Sequence, residues 1–98
     1  MSLFRLRPSA YPLQRVVLFG ATSAIAEQVA RQLVAQGASL YCIGRQPEKL
    51  SALMDDLKVR AGATQRIAGC SADLTHSAQH ASLIDDAEQH LGSIDAVL

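Results

Sequence analysis

The chain carries no net charge, only two cysteines, no tryptophan and no apolar run long enough to cross a membrane. Nine basic side chains offset nine acidic ones, so the basic face that nucleic-acid binding needs is missing. The longest uncharged stretch, Gln32 to Gly44, is too short and too polar to span a bilayer. The apolar run Val16–Phe19 is likewise too short for the core of a secretory signal. Both absences point to a soluble protein. Cys42 and Cys70 lie too far apart for a CxxC pair or a metal quartet. Each sits in an apolar, strand-like run, which predicts reduced core thiols in a cytoplasmic protein. His76, His80 and His90 have no carboxylate or cysteine at ligand spacing, and two histidines on one helix face lack a third ligand. They read as solvated helix residues, with no metal site. Internal repeats and low-complexity tracts are absent as well.

What the chain does have is a globular composition, 49% hydrophobic and 18% charged. Its 98 residues bound it to one small domain or a piece of a larger one. Charge is unevenly placed: residues 1–26 hold Arg5, Arg7 and Arg15 and no acid, so the acidic side chains all follow. Pro8 and Pro12 would break an amphipathic transit helix, so residues 1–14 read as a loose arm.

From residue 15 onward, short apolar runs alternate with helical periods. Val16–Phe19 is the continuous apolar run of a strand buried on both faces. Ile25, Val29 and Leu33, with Val34 alongside, predict one buried helical stripe, with Ser23 as N-cap and Gly37 as the C′ stop. Ser39–Ile43 is a second strand, and Pro47 opens a second helix carrying Leu50, Leu53, Met54 and Leu57 toward the core. Arg66–Cys70 is a third strand, weakened by Gly69. Leu83, Ile84, Ala87 and Leu91 mark a third helix stopped by Gly92, and Ile94–Leu98 opens a fourth strand. Strands separated by helices require parallel pairing and right-handed crossovers. The fold class is therefore α/β: one half of a doubly wound parallel sheet, in strand order 3-2-1-4. An apolar fourth strand with nothing following to cover it predicts the front part of a longer fold, marginally stable alone.

The turn Gly20-Ala-Thr-Ser-Ala-Ile-Ala26 joins the first strand to the first helix. Gly20 permits a sharp turn, small residues keep side chains clear, and the helix's unpaired N–H groups suit a pyrophosphate. Ala26 stands where close helix–strand packing tolerates glycine or alanine. At the end of the second strand, where NAD-binding halves carry Asp or Glu, the sequence reads Ile43-Gly44-Arg45. Gly44 leaves room for a 2′-phosphate and Arg45 supplies a bidentate clamp, so the expected cofactor is NADP(H) rather than NAD(H).

These residues resemble the N-terminal part of the short-chain dehydrogenase/reductase family, oxidoreductases on a Rossmann fold. The resemblance runs from Arg15 to Leu98. The family's Thr-Gly-x-x-x-Gly-x-Gly loop falls on Phe19, Gly20, Ala24 and Ala26, keeping one glycine of three. The extended, epimerase-like branch places its middle glycine at Ser23, so the glycines do not choose a branch. Gly44-Arg45, the Glu48-Lys49-Leu50 helix and Asp73-Leu74-Thr75 look more like the main branch. The resemblance implies that Asp73 accepts from the adenine amino group while Leu74 packs on the ring. It also implies that Thr22, Ser23 and Ile25 line the phosphate and nicotinamide-ribose path.

The family's catalytic Asn, Ser and Tyr-x-x-x-Lys lie beyond the segment that Leu98 reaches. Tyr11 and Tyr41 are followed four residues on by Arg15 and Arg45, not by lysine. The expectation is a cofactor-binding portion that does not catalyse alone, and the family's oligomer surfaces fall mostly outside it. The alternatives are a silent NAD(P)-binding module, a truncated remnant, or part of an extended-type nucleotide-sugar epimerase or reductase.

Overall fold

A computed structural model describes residues 14–72 and 78–98, with side chains from residue 81 in the second segment. Four strands, β1 (Arg15–Phe19), β2 (Ser39–Gly44), β3 (Ile67–Ser71) and β4 (Ala96–Val97), alternate with α1 (Ala24–Ala35), α2 (Pro47–Arg60) and α3 (Ala78–Leu91). All pairings are parallel, in the order β3-β2-β1-β4. This is the doubly wound arrangement that the strand and helix periods predict.

The two central strands are the most apolar, and their alternating side chains feed two cores. On one face, Val16, Leu18, Leu40 and Cys42 meet α1 and the Leu50, Leu53 and Leu57 stripe of α2. On the other, Val17, Tyr41 and Ile43 meet Leu83, Ala87 and Leu91 of α3. Cys42 has no exposed surface, and burial pushes its thiol up to about 12, so it stays protonated. Cys70 is half-buried, and both cysteines are free thiols.

The buried stripe of α1 differs from the expected one. Ala26, Ala30, Leu33 and Val34 face the core, Val29 is half-buried, and Ile25 is 79% exposed. One residue is about 100° of helix rotation. Seating the small Ala26 against the sheet therefore turns Ile25 outward at the helix start. The caps follow expectation: Ser23 Oγ accepts from the Ala26 N–H at 3.2 Å, and Gly37 takes φ +98° after the last turn.

Strand ends shift slightly. β3 starts at Ile67, one residue late, because the Arg66 N–H is held by Ser39 Oγ at 2.8 Å. β4 is shorter than Ile94–Leu98 because the Asp95 carboxylate accepts from the Gln14 and Arg15 N–H groups, at 3.0 and 2.9 Å. Bonds from Asp95 N–H to Arg15 C=O and from Leu98 N–H to Val17 C=O continue the ladder on either side.

Two arginines hold α3 to the sheet. Arg15 Nε donates to the Leu91 carbonyl and Arg66 Nη1 to the His90 carbonyl, both at 2.9 Å, serving acceptors left open at the helix end. The Tyr41 hydroxyl donates to the Asp86 carboxylate from beneath the helix. Burial, then the bonds to Asp86 and Cys70, push the Tyr41 phenol far above its ordinary value. Tyr41 is thus a permanently protonated strut between β2 and α3, and His90 lies exposed beside its ring.

α1 and α2 are bridged by Arg31 and Asp56, 3.1 Å apart, with Arg60 also 3.0 Å from Asp56. The bonds from Arg60 and then Arg31 hold the Asp56 carboxyl below its usual range. A depressed carboxyl adds stability above its unfolded pKa and loses it as pH falls through the lower folded value. Asp56→Asn should therefore have a lower urea midpoint than the unaltered chain at neutral pH. That gap should narrow as pH falls below the ordinary carboxylate range, about 4, and close once the folded carboxyl, held lower, takes up its proton. A constant gap down to acid pH would show that the bridge contributes nothing.

Candidate functional site

Parallel strands all point one way, so the loops leaving β1, β2 and β3 collect along one edge of the sheet. Ala21 N–H donates to Ile43 C=O at 3.0 Å, and Ala72 N–H to Gly44 C=O at 2.9 Å. Three consecutive strand-to-helix connections are thereby tied into one row, the edge where open α/β sheets bind ligands.

In the first loop, Gly20 takes φ +65°, a conformation that favours glycine. The Ser23 N–H closes a turn onto the Gly20 carbonyl at 3.1 Å. Ser23 and Ala24 are exposed. The Ser23 hydroxyl is engaged in capping, and among the described residues the Ala24 and Ile25 N–H groups have no acceptor. Together with the positive end of α1, these two donors form a cradle suited to an anion. Ile25 presents its side chain to solvent beside them.

In the second loop, Gly44 is buried and Arg45 exposed. The space beside Gly44 is filled by protein: a Cβ there would lie 2.9 Å from Thr22 Cγ2 and 3.7 Å from Leu50 Cδ1. Gly44 thus brings the first two loops into contact, and the room expected there for a phosphate lies instead around Arg45. Among the described residues, the Arg45 guanidinium has no hydrogen-bond or ion-pair partner. Lys49, part of the Glu48-Lys49-Leu50 resemblance but not expected as a site residue, lines two depressions at this edge. One is a groove between α1 and α2 shared with Thr22, Ala24, Glu27, Arg31 and Asp56, and the other a shallow hollow shared with Arg45, Gln46, Pro47 and Glu48. Its place four residues after Arg45, in the first turn of α2, brings it to the same edge. Asp73 and Leu74 lie outside the described residues. Among the described residues, no three His, Cys, Asp or Glu side chains converge as metal ligands, and no helix is long and apolar enough to cross a membrane.

The profile of the short chain dehydrogenase family matches residues 14–98. The chain belongs to the short-chain dehydrogenase/reductase family. An uncharacterized oxidoreductase of Staphylococcus epidermidis is 32% identical over 82 residues, covering 84% of this chain and 33% of that protein. A short-chain type dehydrogenase/reductase from Mycobacterium ulcerans superposes with a TM-score of 0.77 at 30% identity, over 89% of this chain and 32% of its own. A metagenomic short-chain oxidoreductase, solved in complex with NADP, gives 0.73 at 26% identity, over 89% of this chain and 39% of its own. This short-chain dehydrogenase/reductase chain thus spans about a third of the length of these relatives. Its loop row lies at the edge where open α/β sheets bind ligands.

Proposed function

We propose that residues 15–98 form the NADP(H)-binding portion of a short-chain dehydrogenase/reductase. The observation that carries this reading is the exit of β2, where positions 44 and 45 hold no carboxylate but a buried glycine and an exposed Arg45 with no partner among the described residues. The first acid is Glu48, in the first turn of α2. A carboxylate there would repel a 2′-phosphate, whereas a planar guanidinium accepts one bidentately. The Ala24 and Ile25 N–H groups, with the α1 dipole, suit the pyrophosphate, while Gly20 keeps the approach open. Asp73 and Leu74 are assigned to the adenine on the strength of the family resemblance. The free thiols support placement in the reducing cytoplasm.

When bound, the cofactor would supply or accept a hydride at its nicotinamide. This chain's contribution is to hold and orient it. Tyr41 is buried and bonded to Asp86, so it is no acid–base group for that chemistry. In a protein of the relatives' length, the reaction is reduction of a carbonyl or oxidation of an alcohol, with proton transfer by residues outside these 98.

The test is titration calorimetry with NADP+ and NAD+. Arg45→Ala should weaken NADP+ binding about thirty-fold, the equivalent of about 2 kcal/mol for a charge-assisted pair, and leave NAD+ unchanged. Full retention of NADP+ preference would defeat the Arg45 assignment.

A further inference from the structure

The contact between the first two loops has a consequence for cofactor choice. Dinucleotide-binding halves that prefer NAD carry Asp or Glu about twenty residues past the glycine loop, at the end of the second strand. In this chain that place is Gly44, the last residue of β2. An ideal Cβ there would lie 2.9 Å from Thr22 Cγ2 and 3.5 Å from Thr22 Oγ1, with Leu50 Cδ1 at 3.7 Å on another side. Both branches of Thr22 therefore face the position, and relief requires Thr22 to leave its rotamer or the loops to part. Threonine is stiff at χ1, and the loops are held by the Ala21-to-Ile43 and Ala72-to-Gly44 bonds.

We propose that Thr22 is a specificity-determining residue: its side chain occupies the space a ribose-binding carboxylate would need and so keeps the β2 exit open to a phosphate. The proposal rests on the reading of this edge as an NADP(H) site. It assigns to Thr22 a role through Gly44, by exclusion, and makes residues 22 and 44 a coupled pair rather than two independent positions.

Three variants of the full chain separate the outcomes: Gly44→Asp, Thr22→Ala, and the two combined. Each is followed by urea midpoint and by calorimetric titration with NAD+ and NADP+. Gly44→Asp alone should lower the midpoint and gain no NAD+ affinity. With Thr22→Ala added, the midpoint should recover beyond additivity, and the ratio of NAD+ to NADP+ affinity should rise about tenfold or more as the carboxylate reaches ribose hydroxyls. An equal gain in NAD+ affinity from Gly44→Asp alone would overturn the proposal. So would a combined variant that merely adds the two single effects, or one that gains no NAD+ affinity although the unaltered chain binds NADP+. Should the unaltered chain bind neither dinucleotide, the NADP(H) reading fails by itself, and the midpoints still decide whether residues 22 and 44 exclude one another.

Discussion

Replacing Gly69 with alanine should destabilise the domain by about 3 kcal/mol, a large share of what a small domain possesses. Gly69 is paired with Cys42 across the β2–β3 ladder. A Cβ at residue 69 would lie 2.1 Å from the Cys42 carbonyl oxygen and 3.0 Å from its carbon, with Met54 Sδ also at 3.0 Å. Met54 is a flexible neighbour and could give way. Cys42 is fully buried in a strand paired on both sides, and its backbone could not. β3 would have to peel from the sheet, taking with it the Ala72-to-Gly44 bond that closes the loop row. Gly62→Ala is the control, since a Cβ there meets only the Gln65 side-chain oxygen, at 3.2 Å. Urea midpoints that fall equally for the two variants would contradict the assigned close approach.

Leu57→Ala should cost about 3 kcal/mol, the usual range for emptying a well-packed leucine site. Leu57 has no exposed surface and is the last of three buried leucines on α2. That stripe, with half-buried Met54 beside it, seats α2 on the core, so truncating Leu57 removes apolar contact from a closely packed cluster. Val59, two residues on, is 86% exposed. Val59→Ala should change stability by less than about 0.5 kcal/mol. The same side-chain class at two helix positions then separates burial from propensity. Similar losses at both would mean that α2 is not seated as described.

Periodicity made most of this fold legible. Leu50, Leu53 and Leu57 repeat at helical spacing because one face of α2 must be dry, and Val16–Phe19 and Leu40–Ile43 are continuous apolar runs because helices cover both faces of β1 and β2. Ser23 and Gly37 were readable as caps because their chemistry is local. Ile25 was misplaced because an apolar residue in a helix's first turn satisfies two stripes one residue apart. Only the packing of Ala26 chooses between them. Gly69 weakened the third strand on propensity, yet it is what lets β3 approach β2, a demand set by a residue far away in sequence. Position 44 has the same character: its glycine is plain in the sequence, while the Thr22 side chain that requires it is a tertiary fact. The side-chain bonds from Tyr41 to Asp86, Arg15 to Leu91 and Arg66 to His90 all end on α3, and no local pattern announces such long-range bonds. At the candidate site, Gly20, Ser23 and Arg45 were visible as turn, cap and cation, whereas the place of Lys49 beside Arg45 follows from how α2 lies against α1.

The most direct test of the central claim is a thermal melt of the purified chain with NADP(H), with NAD(H) and with neither. A ligand that binds only the folded state, at a hundred times its Kd, adds about 2.7 kcal/mol, a rise of roughly ten degrees or more for a chain of this size. The expected result is that rise with NADP(H) and a much smaller one with NAD(H). Coincident midpoints in all three conditions, or a larger rise with NAD(H), would contradict the assignment of the β2 exit and Arg45 to a 2′-phosphate.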